Sequence, residues 1–158
     1  MKITVLSVGK AGALLVDAIR EYEERASRYW PVEFIEVRQH RGTKDGDDAI
    51  KATESRRLLD RVPPGAQVMA LTRVGGEAWS STRLARYLGE LANQSHAGVA
   101  FLIGGALGLS DELIRMSDSR MRLSTFTLPH DFARLLLAEQ LYRAGTIMRR
   151  EPYHKGDG

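Results

Sequence analysis

The segment Val99 to Ile103 (VAFLI), preceded by Gly98, is the most apolar strand candidate in the chain, and it constrains the fold more than any other stretch. A strand with one wet face alternates apolar and polar residues, whereas this one offers no polar position to either side. Such a strand is buried on both faces, which is the mark of a central parallel strand covered by helices. The rest of the chain must therefore supply flanking strands and two layers of helix.

It does so in alternation. Met1 to Val8 (MKITVLSV) is a short β-branched run ending at Gly9. Leu15, Ala18, Ile19, Tyr22, Ala26 and Tyr29 then recur at helical spacing until Pro31. Val32 to Val37 (VEFIEV) alternates as a half-exposed strand. Arg38 to Asp47 carries almost nothing to bury and is expected to be a mobile loop. Asp47 or Asp48 opens a helix to about Val62, broken by Pro63-Pro64-Gly65. Gln67 to Thr72 reads as a third strand, Ser81 through Leu91 as a helix, and Ser110 as the cap of another, with Asp111 and Glu112 in its first turn. Met121 to Ser124 is the fifth strand candidate, and a long helix from about Phe132 to Met148 closes the pattern before Pro152. Five strands alternating with five helices predict a single α/β domain on a mainly parallel sheet of five or six strands, with no internal repeat or linker.

Composition narrows the chemistry. With 158 residues, 43% hydrophobic and 27% charged, the chain is sized for one soluble globular domain. No apolar run approaches the roughly 20 residues of a spanning helix, and the opening segment lacks a secretory pattern, so the expectation is a cytoplasmic protein with no membrane partner. The absence of cysteine removes disulfides, thiolate nucleophiles and thiolate metal sites, and His40, His96, His130 and His154 do not pair at metal-ligand spacing. The expectation is no metal. A net charge of +3 permits a polyanionic partner without demanding one.

In open α/β sheets ligands sit beyond the carboxyl ends of the strands. Three loops compete for that place: Arg73 to Trp79, Gly104 to Ser110, and Thr125 to Asp131. Gly104, Gly105 and Gly108 would let backbone amides approach a ligand, because a Cβ obstructs both close approach and positive φ. The spacing is neither a P-loop nor G-x-G-x-x-G, so a plain tight turn explains it equally well.

The combination of FLIGGALGLS (Phe101 to Ser110), LSTFTLPHDFARLLLAEQLYRA (Leu123 to Ala144) and PYHK (Pro152 to Lys155) resembles the ribosomal large-subunit methyltransferase H family of the SPOUT superfamily, a likeness running over nearly the whole chain. The resemblance implies an α/β fold with a C-terminal trefoil knot, a homodimer, and transfer of a methyl group from S-adenosylmethionine to N3 of a pseudouridine in 23S rRNA of the assembled 70S ribosome. Carried over position by position, it assigns the donor site to Leu71, Gly105 and the run Ser124, Thr125, Phe126, Thr127, Leu128 and Pro129. Where relatives commonly place an acidic or polar residue between the glycines, this chain has Ala106-Leu107.

The resemblance also brings the tail over the active site, with Tyr153 and His154 near the target base, and Arg143 joins them as a catalytic candidate on its charge. Tyr153 could stack on an unpaired base, and a cation, Arg143, His154 or Lys155, would favour the deprotonated imide. Each has a plainer alternative: a solvated tail for His154, and an i,i+4 ion pair with Glu139 for Arg143. His130 is a turn residue or a site contact, Trp79 a core aromatic or a site wall, and Arg38 to Lys44 a solvated loop or a phosphate contact. Leu135, Leu136, Leu137, Ala138 and Leu141 make the last helix more apolar than one packing face needs, which a partner subunit would explain. Two other functions suit the same fold: a non-catalytic RNA-binding or ribosome-assembly factor, and a small-nucleotide-binding regulator.

Overall fold

The computed structural model describes residues 1–42 and 44–155. Five strands, β1 (Lys2–Val8), β2 (Val32–Val37), β3 (Gln67–Leu71), β4 (Gly98–Ile103) and β5 (Ser119–Met121), form one sheet in the order β2-β1-β4-β3-β5, and every pairing is parallel. All six residues of β4 are buried, as its unbroken apolar character requires. Strand β1 is buried from Ile3 to Val8, while the edge strand β2 is wetter.

Helices α1 (Val16–Ser27), α3 (Ser81–Asn93) and α5 (His130–Met148) cover one face, and α2 (Asp47–Leu59) and α4 (Asp111–Met116) the other. Strand alternation divides the core accordingly. Val99, Phe101 and Ile103 meet α3 and α5 through Leu88, Leu137 and Leu141. The alternate residues Ala100 and Leu102 meet Leu58 of α2 and Leu113 of α4. The larger cluster lies under α5, which is held by more than apolar contact. Trp30 Nε1 donates to the carbonyl of Leu141 at 2.8 Å, and Arg134 spans Glu23 of α1 at 2.9 Å and Glu36 of β2 at 2.8 Å.

Most elements fall where periodicity puts them, including the Ser110 cap, whose Oγ accepts the Leu113 N–H at 3.2 Å. The fifth strand is the exception. Expected over Met121 to Ser124, it runs instead from Ser119 to Met121, paired with Met69–Leu71. The chain leaves the ladder at Arg122, whose N–H goes to the Glu77 carbonyl at 3.0 Å and whose own carbonyl accepts the Trp79 N–H at 3.2 Å. Helix α2 ends at Leu59 rather than near Val62, because Arg61 and Val62 form tighter three-residue turns ahead of Pro63. Helix α5 starts at His130, with Pro129 just before it. The loop after β2 has no regular structure in its described residues, and Thr43 lies outside them.

Candidate active site

The three loops expected to compete for a ligand converge. Residues after β3, β4 and β5 enclose a cavity of about 300 Å³ at the carboxyl edge of the sheet. Its floor is the last residue of β3, Leu71, and the last of β4, Ile103; Leu109 and Leu128 add apolar wall, and Lys51 and Arg73 bring cations to it. Val74, Leu107 and Phe126, 85%, 37% and 80% exposed, form an apolar rim.

The glycine loop is rigid for reasons internal to the protein. An added Cβ on Gly104 would lie 2.5 Å from the carbonyl carbon of Gly108, and one on Gly105 would lie 2.9 Å from Oε1 of Glu54. These glycines are demanded by the loop folding back on itself and onto α2, a constraint that acts without any ligand. Arg73 locks the result: its guanidinium donates to the carbonyls of Gly105 at 2.8 Å and Ala106 at 2.7 Å. Because Arg73 grips backbone oxygens, the Ala106-Leu107 pair does not disturb the contact. Beneath the loop, Ser55 Oγ accepts the Ser110 N–H at 2.9 Å, and the neighbouring Glu54 accepts the His40 N–H at 3.1 Å. Both α2 side chains are 3% exposed. Arg73, Glu54 and Ser55 escape sequence reading, since nothing in their spacing marks them as loop anchors.

Of the donor-site residues expected from sequence, Leu71, Ser124, Phe126 and Leu128 line the cavity. Gly105 contributes its carbonyl to Arg73 and faces α2. Thr125, Thr127 and Pro129 alternate with the wall residues along the chain, are exposed and do not line the cavity. His130, the next wall residue, has Nε2 2.8 Å from Asp131 Oδ1 without hydrogen-bond geometry. Asp131 Oδ2 accepts the Gly12 N–H at 2.8 Å, drawing the loop after β1 towards the start of α5.

Tyr153, His154 and Arg143 gather elsewhere, and none of them lines this cavity. Residues Pro152–His154 form a 3-10 turn folded against α5. The Tyr153 ring stands 4.5 Å from that of Tyr142, with the Arg143 guanidinium 4.9 Å from it. Glu139 is the hub: it receives Arg143 Nη2 at 2.6 Å, the Tyr153 hydroxyl at 3.1 Å and the Gln140 amide at 2.6 Å. The i,i+4 ion pair is thus real, yet it belongs to an aromatic cluster and not to an isolated wet face. Burial, then the Tyr22 hydroxyl and the charge of Glu139, push the Tyr153 phenol well above its ordinary range. It is a hydrogen-bond donor at neutral pH. Nδ1 of His154 is enclosed without a partner among the described residues.

Trp79 packs edge-on against Tyr87, centroids 5.2 Å apart, and belongs to the core margin. Among the described residues no group of carboxylates and histidines could hold a metal ion, and no helix is long and apolar enough to cross a membrane.

Comparison with known proteins bears on this geometry. Residues 1–154 match the family described as predicted SPOUT methyltransferases. A ribosomal RNA large subunit methyltransferase H from Gemmatimonas aurantiaca is 45% identical over 156 residues, covering 98% of this chain and 100% of the relative. One from Syntrophotalea carbinolica is 41% identical, covering 98% and 99%. Among solved structures, TrmJ from Z. mobilis ZM4 superposes with a TM-score of 0.53 at 14% identity, over 89% of this chain and 69% of that one. The TrmH/SpoU tRNA modifying enzyme of A. aeolicus gives 0.50 at 13% identity, over 98% and 77%. These two likenesses speak for the fold alone. The chain belongs to the SPOUT methyltransferases and, within them, to the ribosomal RNA large subunit methyltransferase H family.

Proposed function

We propose that this protein methylates ribosomal RNA with S-adenosylmethionine as the methyl donor, and that its target is N3 of a pseudouridine in 23S rRNA of the assembled 70S ribosome. What carries the reading is identity of 45% over essentially full length to a relative of that name, in a chain whose three carboxyl-edge loops close on one cavity.

The residues present fit the donor. A cavity of about 300 Å³ is at the small end of ligand sites, which run from roughly 300 to 1,000 Å³. Leu71, Ile103 and Leu109 suit a flat apolar ring, the Ser124 hydroxyl suits a polar edge, and Lys51 suits a carboxylate. When bound, S-adenosylmethionine supplies a sulfonium-activated methyl group. The protein's work is then to position donor and acceptor in line and to keep the acceptor nitrogen deprotonated. Arg73 holds the loop carbonyls in place before any ligand arrives, so little order need be created on binding.

We further propose one domain working as a homodimer in the cytoplasm, with the tail of one copy serving the cavity of the other. Tyr153, His154 and Arg143 lie together but away from their own chain's cavity, and α5 leaves Phe132 and Met148 42% and 46% exposed. In that arrangement Tyr153 stacks on the target base with its hydroxyl held by Glu139, and the Arg143 charge favours the imide anion. The trefoil knot belongs to the same proposal: the segment after β5 must cross the ends of β3 and β4 to reach α5 on the far face.

Incubation with labelled donor and undermethylated 70S ribosomes, followed by nucleoside mass spectrometry, should find N3-methylated pseudouridine in 23S rRNA. Label in a different rRNA nucleoside would remove the pseudouridine target, and none in rRNA would remove the function. A non-catalytic binding factor on this fold would take up no donor in calorimetry.

A further inference from the structure

A second, larger concavity opens on the same edge of the sheet, over β1 and β2. It measures about 970 Å³, roughly three times the donor cavity. Lys10, Arg38, His40, Arg41 and Arg57 line it, with Glu36 as the carboxylate in its wall. That carboxylate is already engaged by Arg134 at 2.8 Å and by the Ala11 N–H at 3.1 Å. His40 pairs with Asp45 at 2.7 Å, and Arg57 donates to the Arg38 carbonyl at 2.8 Å. The charges of Lys10, Arg38 and Arg41 stay exposed on its lining.

Position gives the basin its meaning. Adjacent residues of one helix anchor the two sites: Glu54 takes the His40 N–H from the basin's loop, and Ser55 takes the Ser110 N–H from the glycine loop. Both are buried, so the two loops are held at a fixed spacing by α2. An open basic depression beside a donor cavity, with Val37 as the one hydrophobic residue on its lining, suits an extended polyanion better than a small metabolite.

We propose that the basin over β1 and β2 docks the sugar-phosphate backbone of the RNA substrate, with Arg38 and Arg41 as its principal phosphate contacts. This rests on the reading of the protein as an rRNA methyltransferase. The ligand is a run of phosphates, recognised by charge, and α2 sets its distance from the methyl donor.

The test compares wild type, the double variant Arg38→Gln/Arg41→Gln, and a control that removes equal charge at the opposite edge, Lys2→Gln/Arg61→Gln, two residues that lie beside Glu33 at the start of β2. Each is titrated against a fluorescein-labelled 23S rRNA hairpin across a salt series, against uridine 5′-monophosphate, and in methylation of undermethylated 70S ribosomes. The basin variant should bind the hairpin at least tenfold more weakly, with its log-log salt slope shallower by roughly 1.5 for two lost contacts to RNA phosphates. Its KM for ribosomes should rise with kcat and donor affinity unchanged. Equal hairpin affinity and slope in wild type and basin variant, or an equal loss in the control, would overturn the proposal. So would micromolar binding of the mononucleotide lost in the basin variant, which would make this a small-nucleotide site. Basin-dependent hairpin binding without methyl transfer by wild type would uphold the dock and remove the methyltransferase reading instead.

Discussion

The donor cavity and the tail cluster stand at different places on α5, and they are made of different things. Around the cavity the decisive atoms are backbone: carbonyls of Gly105 and Ala106 gripped by Arg73, and the amide of Ser110 tied to α2. In the tail they are side chains, two aromatic rings and an arginine gathered on Glu139. A site made of backbone tolerates side-chain change but not a Cβ in the wrong place. A site made of side chains should respond in the opposite way.

The hardest test of that difference is Gly104→Ala. Its new methyl would sit 2.5 Å from the Gly108 carbonyl carbon, and backbone cannot rotate aside. Overpacking of this kind costs about 1–3 kcal/mol, occasionally more. Donor affinity should fall about 100-fold by calorimetry; wild-type affinity would show that the loop is not a wall of the site. The complementary change, Tyr153→Phe with His154→Ala, should lower turnover by about 100-fold, the scale of a lost acid-base contribution, with donor affinity within twofold of wild type. Unchanged turnover would sink the catalytic tail, and loss of donor binding would erase the division between the two regions.

Arg73→Gln sharpens the comparison at smaller scale. It removes charged donors from two loop carbonyls while leaving every glycine in place. A net loss near 1.4 kcal/mol corresponds to a tenfold weaker donor Kd. A loss as large as that of Gly104→Ala would mean that the arginine touches the donor itself.

The smallest effect is in pH. The folded-state ionisation of Tyr153 is raised, so the stability it contributes is fully present below the ordinary tyrosine value near 10 and is lost only as pH rises through the higher folded value. Tyr29 and Tyr87 are raised as well, so ultraviolet titration of Tyr153→Phe should show one fewer tyrosine resisting ionisation beyond pH 10 than wild type. If both proteins titrate alike, the phenol is not enclosed as described.

Periodicity carried the sheet a long way. The five apolar residues Val99 to Ile103 demanded a buried central strand, and Pro31, Pro63 and Ser110 marked ends and caps close to where they fall. It failed at β5, where Met121 and Leu123 alternate like a strand but only Met121 pairs and is buried. Hydrophobic alternation cannot tell a ladder residue from one that has already turned towards another loop. The run Ser124 to Pro129 was legible as a site through resemblance, yet which members face inward depended on a backbone alternation set by the crossing to α5.

By itself, then, the sequence determined a parallel α/β layer, the three loops at its carboxyl edge and membership of a methyltransferase family. Only the tertiary structure decided that Gly104 and Gly105 serve the loop's own packing, that Glu54 and Ser55 fasten two sites to one helix, and that Tyr153, His154 and Arg143 stand apart from their own cavity. The reason is physical. Burial pattern and helix ends are local properties that spacing along the chain encodes. Contacts between residues 30 to 60 positions apart, such as Arg73 with Gly105 or Ser55 with Ser110, exist only once the sheet has fixed the distance between its loops.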